Sequence, residues 1–135
     1  MPELAPDRAR RPRLLVVDDA PDMRRSIARI LKDRVDIVEA YDGKMALEMI
    51  VQAHMDGAQF DALLIDLEMP RMNGKDALDA IASIAPELAE RAIVMSGGAW
   101  DAKLGEWLAL LPSHRLLRKP MSIEALREAV ERATA

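Results

Sequence analysis

From residue 13 onward, short apolar runs alternate with longer stretches in which apolar residues recur every three or four positions. The runs are Leu14–Val17, Asp36–Ala40, Ala62–Ile65, Ala92–Met95 and Arg115–Arg118, and three of them are four unbroken apolar residues. An unbroken run predicts a strand buried on both faces, as in a parallel sheet covered by helices. Between the runs, Met23, Ile27, Ile30 and Leu31 form one helical stripe and Ala46, Leu47, Ile50 and Val51 another, each the mark of a one-sided helix. Asn73 opens a third helix. Trp100, Leu104, Trp107, Leu108 and Leu111 make the stripe of a fourth, weakened at its middle by Gly105, and Ile123, Leu126 and Val130 that of a fifth. Asp42, Asn73 and Ser122 stand where N-caps are needed, Gly57 follows the end of the second helix, and Asp19 ahead of Pro21 offers a cap for the first. Five strands alternating with five helices predict right-handed crossovers and a single doubly wound α/β domain.

Composition narrows this reading without changing it. The 135 residues suit one domain. Half are hydrophobic but only four are aromatic, so the core is built from Leu, Ile, Val, Ala and the nine Met. Twenty-three acidic residues against nineteen basic ones leave a net charge of −4, which gives no broad reason to bind nucleic acid or an anionic membrane. The absence of cysteine removes disulfides, thiolate chemistry and Cys-ligated zinc. No apolar run approaches the ~20 residues of a membrane span, and the first residues lack the order of a signal peptide. A soluble, cytoplasmic protein is expected. Residues 1–12 hold Pro2, Pro6, Pro12 and three arginines, with little apolar content; they are expected to be a disordered or linker segment ahead of a domain spanning 13–133. His54 and His114 sit in no metal-like cluster and are read as ordinary.

Chemistry enters through the residues that follow the strands: Asp18 and Asp19 after the first, Asp66 after the third, Ser96 after the fourth and Lys119 after the fifth. In a doubly wound sheet ligands gather beyond the carboxyl ends of the strands at a topological switch point. A flavodoxin-like order 2-1-3-4-5 would bring Asp18, Asp19 and Asp66 together there. Two carboxylates about 4 Å apart repel by roughly 4 kcal/mol at an effective dielectric near 20, so three of them call for protonation or a cation. An all-oxygen donor set suits Mg²⁺. Ser96 supplies a hydroxyl donor and Lys119 a compact positive charge, both suited to phosphoryl oxygens. Asp66, at the end of the central apolar run, is the nucleophile candidate, with Asp18 and Asp19 left to hold the metal. Each residue also has a plainer reading: a helix N-terminus for the acidic pair, turn chemistry for Ser96 before Gly97-Gly98, a solvated charge for Lys119.

The segments Val16-Val17-Asp18-Asp19, Leu63 through Asp66-Leu67-Glu68-Met69-Pro70-Arg71-Met72-Asn73-Gly74, Met95-Ser96-Gly97-Gly98 and Arg118-Lys119-Pro120 together resemble the receiver domain of two-component response regulators, over residues 13–133. The resemblance implies that Asp66 accepts phosphate from a histidine kinase or histidine phosphotransfer domain. It further implies that Asp18, Asp19, Asp66 and the backbone carbonyl of Glu68 hold Mg²⁺, that Ser96 senses and Lys119 pairs with the phosphoryl group, and that the bond before Pro120 is cis. It also implies a downstream protein partner on the face of the fourth helix, fifth strand and fifth helix, with phosphorylation-dependent homodimerisation as one form of output. Such a domain is not an enzyme acting on an external substrate; it catalyses its own phosphorylation and dephosphorylation.

Three positions depart from the family pattern. Leu116 stands where the switch aromatic is usual, Met121 replaces a common Phe, and Glu68 puts a carboxylate beside the phosphorylation site, where charge repulsion is expected to alter metal affinity and phosphoryl lifetime. The tryptophan stripe is read as core, with an exposed Trp100 marking a partner site. No output domain is expected within the chain. The Ser-Gly-Gly-Ala run and the Arg/Pro-rich leader resemble C-terminal receivers of hybrid sensor histidine kinases, which makes such a kinase the expected parent if this is an excised domain. Two rival readings are a small haloacid-dehalogenase-like aspartyl phosphatase, with Asp66 and Glu68 as its acidic pair, and a pseudo-receiver that only binds a partner.

Overall fold

The computed structural model describes residues 11–69, 72–98 and 100–135. Five strands, β1 (Arg13–Val17), β2 (Asp36–Ala40), β3 (Ala62–Asp66), β4 (Ala92–Ser96) and β5 (Leu116–Arg118), alternate with helices α1 (Pro21–Leu31), α2 (Gly43–Met55), α3 (Gly74–Ile84), α4 (Pro86–Glu90), α5 (Ala102–Ala109) and α6 (Ile123–Ala133). All pairings are parallel, in the order β2-β1-β3-β4-β5, the flavodoxin-like order expected from the sequence.

The unbroken apolar runs serve two cores at once. Leu15, Val17, Leu63, Ile65 and Val94 face one side of the sheet with Ala46, Ile50, Ala77, Ile81 and Leu108 of the helices there. Leu14, Val16, Leu64, Ile93 and Met95 face the other, against Ile27, Leu31, Leu126 and Val130. Successive strand side chains alternate between faces; with helices on both, neither parity can be polar, and every residue of β3 and β4 is buried.

Local signals set most boundaries. Asp42, Asn73 and Ser122 accept from the backbone N–H three residues on, at 2.7, 2.9 and 3.0 Å, as expected. Asp101 caps α5 in the same way at 2.8 Å, a cap the sequence reading passed over. Asp19 does not cap α1: the N-cap is Ala20 with no side-chain bond, and Pro21 opens the helix. Gly57 has φ +71° just past α2, a left-handed position that suits glycine.

The structure departs from the sequence expectation at three further places. Pro86 ends α3 by withholding an N–H and opens the extra short helix α4. Residues Ser113–Arg115 form a 3₁₀ turn, so β5 starts at Leu116 and not Arg115; the Arg115 guanidinium instead donates to the carbonyls of Ala92 and Ala89 at 2.7 and 2.8 Å. The buried stripe of α2 runs through Ala46, Ile50 and Ala53, leaving Val51 exposed. The expected linker, residues 1–12, lies outside the described residues except for Arg11 and Pro12, as do Pro70 and Arg71 of the loop after β3. No described helix is long and apolar enough to cross a membrane.

Candidate functional site

Asp66 ends β3, Ser96 ends β4, Asp18 follows β1 and Lys119 follows β5, so parallel pairing alone delivers all four to one edge of the sheet. Registers refine the placement. Leu67 N–H donates to Met95 O at 2.9 Å and Lys119 N–H to Ser96 O at 2.8 Å, which extends the ladder past the strands and fixes where these loops begin. Asp18 N–H donates to Ala40 O at 3.1 Å, and its carboxylate Oδ1 accepts from Ala20 N–H at 2.9 Å. Arg24 donates to the Asp18 carbonyl at 2.6 Å and pairs with Glu39 at 3.0 Å, bracing this corner from α1 and β2.

Among the described residues Asp18, Asp66 and Ser96 are the buried polar ones, at 0%, 2% and 1% exposure; a carboxylate removed this far from water needs a partner. Lys119 Nζ lies 3.3 Å from Asp18 Oδ2 and 3.3 Å from Asp66 Oδ1, bridging the two. One ammonium does not balance the site, because a carboxylate oxygen from each of Asp18, Asp19 and Asp66 lies within 4.8 Å of the others. Burial, then the neighbouring Asp18, push the Asp66 carboxyl up from 3.8 to about 6; Lys119 and the Glu68 N–H, which donates to Asp66 Oδ1 at 3.2 Å, pull the other way. For Lys119 burial pulls downward, but Asp66 and Asp18 together outweigh it and the net shift is upward. Three carboxylates against one ammonium leave a local charge of −2, and the donor set is oxygen only. Such a site fits a hard divalent cation of the Mg²⁺ type, which prefers a few carboxylates and keeps several waters.

The predicted residues thus converge: Asp18, Asp19, Asp66 and Lys119 share one pocket of charge, Ser96 adjoins it from β4, and the Lys119–Pro120 bond is cis, as the resemblance implies. Gly97 serves the same corner, since a Cβ there would lie 3.2 Å from Lys119 Cβ.

What the sequence reading missed is a chain of contacts leading outward from Ser96. Its hydroxyl donates to Glu68 Oε2 at 2.7 Å, while Glu68 Oε1 accepts from Gly97 N–H at 2.9 Å. Trp100 Nε1–H donates to the same Ser96 oxygen at 2.6 Å, and the Arg118 guanidinium lies 4.0 Å from the Trp100 ring centroid. Glu68 is therefore more than a charge near Asp66, and its carboxylate, the second acid of the phosphatase alternative, is engaged by Ser96 and Gly97. Trp100 packs half-buried against the core, as expected, but it precedes α5, whose N-cap is Asp101, and so is not the first residue of that helix's stripe; it also carries a polar contact. No periodicity signals these contacts, because Glu68 and Trp100 lie in loops where spacing carries no directional information.

Residues 14–131 match the family described as response regulator receiver domain. The sensor histidine kinase TmoS of Ectopseudomonas mendocina is 34% identical over 128 residues, covering 95% of this chain and 12% of that protein. The autoinducer 1 sensor kinase/phosphatase LuxN of Vibrio campbellii is 27% identical over 121 residues, covering 88% of this chain and 13% of that protein. The chain spans a fifth or less of the length of the curated relatives it matches. Among solved structures, the receiver domain of NtrX from Brucella abortus superposes with a TM-score of 0.69 at 28% identity, covering 90% of this chain and 97% of that one.

Proposed function

Since the chain belongs to the response regulator receiver domain family of two-component signalling, we propose that it accepts a phosphoryl group on Asp66 from the phosphohistidine of a histidine kinase or histidine phosphotransfer domain. The observation that carries this reading is the Lys119 ammonium bridging Asp18 and Asp66 at 3.3 Å each, within a carboxylate trio on one sheet edge.

The chemistry is a displacement at phosphorus. An Asp66 carboxylate oxygen forms the new P–O bond as the P–N bond to histidine breaks, and that electron pair returns to the imidazole nitrogen. Ionised Asp66 is the competent nucleophile, and with its carboxyl at about 6 most of it is ionised at neutral pH. Lys119, already against Asp66 Oδ1, is placed to pair with a phosphoryl oxygen, and Ser96 at the end of β4 supplies a hydroxyl donor. Asp18, Asp19 and Asp66, with the backbone carbonyl of Glu68, are the residues that would hold Mg²⁺, and the ion when bound supplies positive charge where phosphoryl oxygens gather.

The product is an acyl phosphate on the protein itself, so the chain acts as a signalling switch that promotes its own phosphorylation and dephosphorylation. The face of α5, β5 and α6 would present the altered state to a downstream protein or to a second copy. Sensor kinases among the relatives support a phosphorelay setting in the cytoplasm.

Intact-protein mass after incubation with Mg²⁺ and acetyl phosphate tests the reading. A single phosphoryl adduct is expected in the parent, and none in Asp66→Asn or with EDTA. A folded parent that takes no adduct from either acetyl phosphate or a phosphorylated kinase would leave the pseudo-receiver.

A further inference from the structure

Ser96 has one hydroxyl proton and Trp100 Nε1 can only donate. In the structure that proton goes to Glu68 Oε2 at 2.7 Å, and the indole N–H takes the oxygen at 2.6 Å. Ser96 is 1% exposed, so its hydroxyl is screened from bulk water and is committed to these two neighbours. The arrangement is therefore a relay with a single proton to give. Leu116, half-buried on β5, has no polar atom with which to read Ser96; Trp100 has one and uses it.

We propose that Trp100 reports the phosphoryl state of Asp66, by being seated on Ser96 while the Ser96 hydroxyl is given to Glu68 and re-seated when that hydroxyl is drawn to a phosphoryl group. This rests on the reading of Asp66 as the phosphoacceptor. A phosphoryl group adds acceptor oxygens and negative charge beside Ser96, and Ser96 cannot donate to them and to Glu68 together. Glu68 also follows Asp66 by two residues and donates its N–H to Asp66 Oδ1, so its carboxylate is repelled by the same charge. Loss of Glu68 as acceptor turns the Ser96 oxygen, and the indole N–H loses the position that held it.

Arg118 makes this change visible at the surface. Its guanidinium stacks 4.0 Å from the Trp100 centroid and the residue is exposed, so a re-seated indole moves a positive charge on the edge formed by β5. A partner offering a carboxylate-bearing segment would distinguish the two positions of that charge.

The test uses the full chain labelled with 5-fluorotryptophan. Its two tryptophans give two ¹⁹F resonances, assigned with Trp107→Phe and, independently, Trp100→Phe. Spectra are recorded before and after Mg²⁺ and acetyl phosphate, with adduct measured by intact mass on the same sample. The Trp100 resonance should shift in proportion to adduct, the Trp107 resonance should shift less, and Asp66→Asn should show neither change. Glu68→Gln, which removes the charge that competes for the hydroxyl, should move the unphosphorylated Trp100 resonance towards its phosphorylated position. Full adduct with an unmoved Trp100 resonance overturns the inference and leaves the phosphoacceptor reading standing. A folded chain that takes no adduct overturns both.

Discussion

Asp66 shows how one side chain holds opposed tendencies. It is buried beside Asp18, which favours the neutral acid, and bonded to Lys119 and the Glu68 N–H, which favour the anion; burial prevails and the carboxyl rises to about 6. A folded-state value above the ordinary 3.8 means that the folded chain binds this proton more tightly than the unfolded chain does. The stability Asp66 contributes is then present below pH 4 and is lost as pH rises through 6. Asp66→Asn in EDTA should accordingly be more stable than the parent at pH 7.5, by up to about 3 kcal/mol, with the difference vanishing below pH 4. Urea melts of the two proteins across that range check both the sign and the window. At this scale residue type was legible in the sequence: Asp, Asp, Asp, Ser and Lys after strands already specify oxygen donors and one cation. Glu68 was legible only as a charge, because its bonds to Ser96 and Gly97 depend on a loop conformation that no local pattern encodes.

At the scale of elements, strand ends and helix starts hold the site residues in place. Gly74 opens α3, and its N–H donates to Leu67 O at 3.1 Å just beyond β3. A Cβ at Gly74 would collide with the Asp66 carbonyl oxygen and lie 2.9 Å from Leu67 Cα. Both are backbone, with no flexible tip to yield. Gly74→Ala should therefore destabilise the fold by roughly 1–3 kcal/mol and, by displacing Asp66, lower the phosphoryl adduct formed at fixed acetyl phosphate. Chemical denaturation and intact mass on the same preparation measure the two effects. The strands were readable as short apolar runs and four of the six helices as stripes with a definite period, while Asn73 marked the start of α3 through its cap. Helix α4 was not readable, since five residues are too few to show a period and only Pro86 marks its start.

For the whole molecule, folding concentrates charge at one edge of the sheet. The trio of carboxylates and the single Lys119 leave that edge negative, so a divalent cation should stabilise the folded chain over the unfolded one. At 100 times its dissociation constant such a ligand contributes about 2.7 kcal/mol, and Mg²⁺ should raise the melting temperature by several degrees. Asp18→Asn should abolish most of that rise, and calorimetry with and without Mg²⁺ would show it.

The sequence by itself determined the fold class and the inventory of reactive groups. An unbroken apolar run is stable only between two layers of helix, and the residue after each such strand is committed to the sheet's carboxyl edge. Tertiary structure alone decided how those groups share partners. Whether Lys119 bridges Asp18 and Asp66, and whether the Ser96 proton goes to Glu68 with Trp100 behind it, depends on contacts between residues 28 to 101 positions apart along with local loop geometry. Those contacts are set by strand register and packing, and hydrogen bonds at such separations leave no periodic trace in the chain.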